Sequence, residues 1–297
     1  MPSSVQHLFL ICLIASLGIT KPLTYAFLAL LLSANLSGAG VHASGDAATD
    51  IAVIQAEASG ELYLPSGDSM ADLKAGLDAA RESNKLALVI MGANWCHDSR
   101  ALAARIFEEP LSTTINEHYE TLFVDVGYLE KGKDVITSLG IPAYYATPTV
   151  LIVDPVSGQV VNAGNRHQWA NAASISMQES VAYFGQFTNT DLATLQGDEV
   201  IDEDLQHLLM GIDAFEQIQA ERLYQAYAVL APMLKDYKEG DKDAFSEETW
   251  NEVRDYRYKI PIDIEALRAE AYTRMAAGET NIVLTYPDYP AFSWDTP

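Results

Sequence analysis

Leu86-Ala87-Leu88-Val89-Ile90-Met91-Gly92-Ala93-Asn94-Trp95-Cys96-His97-Asp98-Ser99-Arg100 is the stretch on which the fold turns. Leu86–Met91 is an unbroken apolar run, too short for a helix and suited to a central strand buried on both faces. Gly92-Ala93-Asn94 turns the chain. From about Cys96 to Phe107 the pattern is helical, with Leu102, Ile106 and Phe107 on the inner face and Pro110 beyond the end. A strand feeding a helix through a tight turn aims the first helical amides at the residue where the helix starts, here Cys96. Those unpaired donors and the positive end of the helix dipole favour an anion, so they favour the nucleophilic thiolate. His97 can add positive charge, and Ser99, one turn on, can donate a hydrogen bond to the sulfur. Asp98 opposes both if it lies close.

Working outward, Ser69 begins a helix pattern through Ser83, with Ser69 as its cap and Leu73, Leu77 and Ala80 on one face. Ser112–His118 continues the helical texture after Pro110. Thr121–Val126 reads as a second strand, Asp134–Leu139 as a short helix closed by Gly140, and Thr149–Val153 as a third strand. Asp154–Gly158 is a tight turn into a fourth strand at Gln159–Val161, and Ser174–Phe187 is a closing helix. Crossover helices require parallel neighbours first, and the turn then adds an antiparallel pair. The expected fold class is α/β, a mixed sheet flanked by helices, over residues 68–187.

A mainly α-helical region is expected over residues 188–297. Periodicity marks helices at 201–237 and 246–275. Leu205, Leu208, Leu209, Ile212 and Phe215 form a stripe that Leu223, Tyr227 and Leu230 extend. Lys238–Lys242 is a polar break, Ser246 starts the next helix, and Pro261 is expected to interrupt it. Thr285–Pro297 is expected to lie extended. Residues 44–67 read as a linker in which Ile51–Ala56 is a weak edge strand.

The first 43 residues hold one charged side chain, Lys21, and two apolar runs, Leu8–Leu17 and Leu23–Leu32, before Val41-His42-Ala43. This is the pattern of a secretory signal cleaved after Ala43. Lys21 then marks an alternative n-region, with Met1 an over-early start. An uncleaved anchor is the other reading, although each run is shorter than the roughly 20 residues of a spanning helix. Cys12 lacks the small residues that precede a lipidated cysteine. The expected location is periplasmic or secreted, with membrane attachment only if the segment is retained.

The chain carries a net charge of −23. Losing Lys21 takes it to −24, and residues 191–297 hold 23 acidic against 9 basic residues. That balance repels nucleic acid and anionic lipid. After cleavage Cys96 is the one cysteine left, so no internal disulfide can form. An exported protein that keeps a lone thiol has either buried it or retained it for reaction. The remaining histidines, His97, His118, His167 and His207, show no metal-ligand spacing, and Cys96-His97-Asp98 is too compact for a usual zinc site. No phosphate-binding glycine loop and no G-x-S-x-G elbow is present. A Cys–His protease would need a distant base such as His167, and nothing else supports one.

Trp95-Cys96-His97-Asp98-Ser99 resembles the W-C-x-x-C site of thioredoxin-like proteins, with Ser99 at the second cysteine's position. The Gly-Ala-Asn-Trp lead-in and the Arg100-Ala101-Leu102 exit look like a bacterial thioredoxin-like subgroup that has two cysteines there. Ala146-Thr147-Pro148-Thr149-Val150 resembles the family's cis-proline loop, and Gly164 resembles a family glycine. The resemblance covers 68–187, and it implies a thioredoxin fold with no cofactor. Cys96, His97 and Ser99 are then the candidate catalytic residues, and Trp95, Thr147 and Pro148 the candidate substrate-binding residues. Two departures stand out. Ser99 cannot resolve a mixed disulfide, and Ile90 occupies the strand position where the family often buries an acid.

The expected function is therefore that of a monothiol thiol–disulfide oxidoreductase. Cys96 forms mixed disulfides with client protein thiols or disulfides, and an external thiol reductant clears them. The alternative is a redox-inactive binding or chaperone-like module that uses the cis-proline groove and the helical region. A Cys96–Cys96 homodimer is a third possibility. Each residue also has a plainer role: Cys96 as a small packing residue, His97 as a surface histidine, Trp95 as a partly buried aromatic and Pro148 as a loop former.

Overall fold

The computed structural model describes residues 61–164, 166–187 and 202–295. The expected signal segment, the Ile51–Ala56 strand and the His167 side chain lie outside the described residues.

The first helix, α1, is Ser69–Glu82. Its cap is Asp68, whose carboxylate accepts from the Ala71 amide at 2.9 Å, and not Ser69. The two neighbours are both good caps, and the helix begins one residue after the one whose side chain reaches back. Strand β1, Leu86–Gly92, is buried along its whole length. Helices α2 (His97–Ile106) and α3 (Leu111–His118) lead to β2, Tyr119–Asp125. Helix α4 (Lys133–Ser138) and strand β3 (Thr149–Val153) follow. The sheet order is β2-β1-β3. β1 runs parallel to β2, with Leu86 opposite Tyr119 and Gly92 opposite Asp125. It runs antiparallel to β3, with Ala87 opposite Val153 and Met91 opposite Thr149.

Alternate residues of β1 feed two different cores, as the period of two in a strand requires. Leu86, Leu88 and Ile90 face α2 and α3, together with Trp169 and Phe184. Ala87, Val89 and Met91 face α1 and α4. Leu102 and Ile106 line the inner side of α2 as expected, but Phe107 is 55% exposed and rests on Phe123 at 6.3 Å between ring centres.

The expected fourth strand shrinks to one bridge, Val153 to Val160. A side chain takes its place. Asn162 accepts from the Ile152 amide at 2.8 Å and donates to the Val150 carbonyl at 2.9 Å, filling the outer edge of β3. A 3₁₀ segment, Arg166–Ser174, precedes α5, Met177–Phe184. α5 starts later than expected because Ser176 and Glu179 form a reciprocal capping box.

The helical region consists of α6, Glu203–Glu239, and α7, Glu247–Ala276, which starts at its Ser246 cap. Pro261 does not interrupt α7 but lies buried within it. A proline removes one intrahelical bond and costs roughly 3 kcal/mol. Val253, Tyr256 and Ile260 before it, and Ile264, Leu267 and Ala271 after it, are all buried, and that packing outweighs the loss. The stripe of α6 is half-buried at Leu205–Leu209 and fully buried from Ile212 onward. The tail carries no strand. Its Tyr289 and Phe292 are buried, and Phe292 stacks on Trp294 at 4.5 Å.

The two helices share the α1/α4 core of the sheet domain. The contact centres on the chain just before β3. Tyr144 stacks on Tyr227 of α6 at 5.4 Å, and the Tyr227 hydroxyl donates to the Tyr144 carbonyl at 3.0 Å. The Tyr145 hydroxyl donates to Glu216 at 3.0 Å. Lys133 of α4 pairs with Glu221 at 2.7 Å.

Candidate functional site

Cys96 is the N-cap of α2, with extended backbone and no side-chain capping bond. The turn that delivers it is tied down from outside the run of strands and helices. Tyr63 donates its amide to Asn94 Oδ1 at 3.2 Å, and Asn94 Nδ2 donates to the Tyr63 carbonyl at 2.8 Å. The buried Tyr63 hydroxyl donates to the Ser99 carbonyl at 3.3 Å. Gly92 is needed beneath this turn. A Cβ there would stand 2.6 Å from the Tyr63 ring and 2.7 Å from Ser99 Oγ.

The Cys96 sulfur faces the loop before β3. Its thiol donates to the Thr147 carbonyl at 3.2 Å and it accepts from the Thr147 hydroxyl at 3.4 Å. The Thr147–Pro148 peptide is cis. The carbonyl bond uses the S–H and so serves the protonated form. The hydroxyl bond and the free amides of α2 serve the anion. Cys96 is only 8% exposed, and Thr147 and Pro148 are buried.

The other expected site residues divide. Ser99 is fully buried, but its hydroxyl bonds neither the sulfur nor any other group. The expected Ser99–sulfur bond is therefore replaced by Thr147, which approaches Cys96 from across the sheet. His97 lies exposed as the first residue of α2. Asp98 turns away to accept from the Ala173 amide at 2.9 Å. Trp95 is half-buried, donates to the Gly127 carbonyl at 2.7 Å and stacks on Tyr128 at 6.4 Å. Lys238 of α6 stands 5.6 Å from the centre of its ring. Gly164 has open space where a Cβ would stand, so sterics impose no glycine there. Among the described residues no three His, Cys, Asp or Glu side chains converge to hold a metal ion.

Burial pushes the phenols around the site upward. Tyr63 rises far above its ordinary value through desolvation, with the Ser99 interaction opposing and Cys96 adding to the rise. Tyr144 rises well above it through desolvation, with Tyr227 adding. Tyr227 is pushed up to about 12 by burial, with Arg257 of α7 pulling it back.

Residues 68–155 match a family model described as thioredoxin-like. The chain carries a thioredoxin-like domain. A solved structure of a disulphide isomerase from Xylella fastidiosa Temecula1 is similar to it at 28% identity. That match covers 42% of this chain and 94% of the other, with a TM-score of 0.39. No curated protein matches the chain. Among the described residues no helix is long and apolar enough to cross a membrane.

Sequence reasoning missed three parts of the thioredoxin-like domain's site. Tyr63 lies in the stretch read as linker, and only the isolated Leu62-Tyr63-Leu64 triplet hints at burial. Asn94 read as a turn residue, although its side chain clamps Tyr63. The helical region supplies Tyr227 and Arg257, and no local pattern ties a residue of α7 to one of α2.

Proposed function

We propose that the thioredoxin-like domain performs thiol–disulfide exchange with Cys96 as a lone nucleophile, in an exported protein of the periplasm or the extracellular space. The observation that carries the reading is a sulfur at the N-terminus of α2, held against the cis Thr147–Pro148 peptide. The Cys96 thiolate attacks one sulfur of a client disulfide. A Cys96–client S–S bond forms, the client S–S bond breaks, and the second client sulfur leaves as a thiolate and takes a proton. An external thiol then attacks the client sulfur of the mixed disulfide, and Cys96 departs as thiolate. Ser99 cannot perform that second attack, because an alcohol supplies no comparable anion at neutral pH.

The low exposure of Cys96 favours a second reading, a redox-inactive binding module, since such a protein needs no access to the sulfur. Its peptide groove fits less well. Thr147 and Pro148 are buried, and Tyr144 and Tyr145 just before them are already packed by α6.

Nonreducing electrophoresis of the full chain, purified after alkylation of free thiols, tests the choice. The wild type is expected to carry clients as mixed disulfides that Cys96→Ser lacks. Ser99→Cys, which restores a resolving thiol, is expected to lose them and to gain an internal disulfide with a mass two protons lower. Absence of any Cys96-linked client in the wild type, or Cys96-linked homodimer alone, sinks the exchange reading.

A further inference from the structure

Arg257 is a buried cation with no visible counter-charge. It projects from the middle of α7, is only 6% exposed, and its Nε has no hydrogen-bond partner. Among the described residues it forms no ion pair. The polar contact it makes is with the Tyr258 hydroxyl at 3.5 Å, and its guanidinium lies 6.0 Å from the Trp250 ring centre and 5.0 Å from that of Tyr258. A guanidinium does not shed its proton in a protein. An unpaired buried charge costs several kcal/mol, so a cation kept in such a place has an anion to meet.

The groups that interact electrostatically with Arg257 are Tyr227, Tyr258 and Cys96. Burial works against its charge, and these three neighbours more than offset that. Two of them are poor counter-ions near neutral pH. Tyr227 is held protonated to about pH 12, and an ordinary phenol such as Tyr258 ionises near 10. Cys96 is the group of the three that can carry a negative charge near neutrality. The two residues belong to different regions, but the path between them is short. Tyr227 faces Arg257 and binds the Tyr144 carbonyl, three residues before the Thr147 that holds the sulfur.

We propose that Arg257 is the counter-cation of the Cys96 sulfur, a positioning residue on the helical region that holds the thiol of the thioredoxin-like domain in its anionic form. The inference rests on the exchange reading only for its use, not for its existence. The helical region thereby takes the place of the missing second cysteine. In a two-cysteine site the partner thiol shares in stabilising the first thiolate. Here Ser99 is buried without a partner, and the stabilising charge comes from α7. The other charged and titratable groups around the sulfur do not duplicate it. Tyr63 is held neutral by burial. Asp98 is turned to Ala173, His97 is exposed, and Lys238 stands on the outer side of Trp95.

The test is the rate of Cys96 alkylation by iodoacetamide as a function of pH in the full chain. Arg257→Gln is expected to move the profile to higher pH and to slow labelling at pH 7 by about tenfold, one pH unit of displacement. Arg257→Lys is expected to restore most of the rate. Arg254→Gln, one turn away and paired with Asp255 at the surface, is expected to leave the profile unchanged. Arg257→Met guards against misfolding, because an unbranched apolar chain suits the aromatic surroundings. A folded Arg257→Gln or Arg257→Met with the wild-type profile overturns the inference. Should the wild type trap no client while Arg257→Gln still shifts the profile, the exchange reading fails and this inference stands.

Discussion

Helices α5 and α2 begin in opposite ways. At α5 the start is closed: Ser176 accepts from the Glu179 amide, and Glu179 in return accepts from the Ser176 amide at 2.8 Å. At α2 the start is open: Cys96 makes no capping bond, and its sulfur is turned to Thr147 instead. A good cap is worth about 1 kcal/mol, so α2 forgoes stability that α5 takes. The chain uses Asp68, Asp202 and Ser246 to cap α1, α6 and α7 by side chain, so the omission at Cys96 is local. An uncapped helix start keeps its amides available to an anion, and that is what a nucleophilic sulfur requires.

The contrast can be broken most forcefully from below. Gly92→Ala drives a methyl into the Tyr63 ring and Ser99 Oγ under the first turn of α2. It is expected to cost about 1–3 kcal/mol in urea unfolding, as overpacking does, and to speed alkylation of Cys96 by loosening the turn. Unchanged stability would mean that the α2 start is softer than its close packing implies.

A smaller effect compares the two caps directly. Ser176→Ala is expected to cost about 1 kcal/mol. Cys96→Ser supplies a hydroxyl that caps helices well, yet it is expected to return no such gain at pH 7, because serine cannot balance Arg257. A gain of about 1 kcal/mol would show that the amides of α2 have no better partner than a hydroxyl, and the contrast would collapse.

The smallest effect is in pH. The Ser176 hydroxyl and amide hold Glu179 below its ordinary value of 4.5. Its folded value is depressed, so its contribution is complete above 4.5 and is lost as pH falls through the folded value. The Glu179→Gln variant is expected to remove that slope from the acid side of the stability profile while leaving the region above pH 5 unchanged. An unaltered acid slope would detach the carboxylate from the cap.

How far these regions were legible from sequence depends on how local their causes are. The apolar run of β1, the start of α2 near Cys96 and the bounds of β3 follow from hydrophobic period and turn residues, and they stand where expected. The Ser176 cap was hidden because Ser174 and Ser176 are equal candidates until Glu179 selects one. Phe107 fits the apolar period but reaches the end of α2, where the inner face runs out and the ring meets Phe123 at the surface. Pro261 misled for a different reason. Local propensity ends a helix there, and only the packing of α6 against both halves of α7 carries it through. At the site, the sequence put Ser99 beside the sulfur because residues three apart on a helix share a face. The partner that meets the sulfur is Thr147, fifty-one positions away, and only the sheet register brings them together.

The amide of Asn162 has a consequence beyond finishing the sheet. β3 is an edge, and the Ile152 amide and Val150 carbonyl on its outer side are the groups another chain would pair with if it added itself as a strand. Asn162 occupies both. Where a sheet usually protects its margin with a whole extra strand or a row of charges, this one does so with a single side chain. The same two bonds that complete the fold also keep a second molecule from extending it.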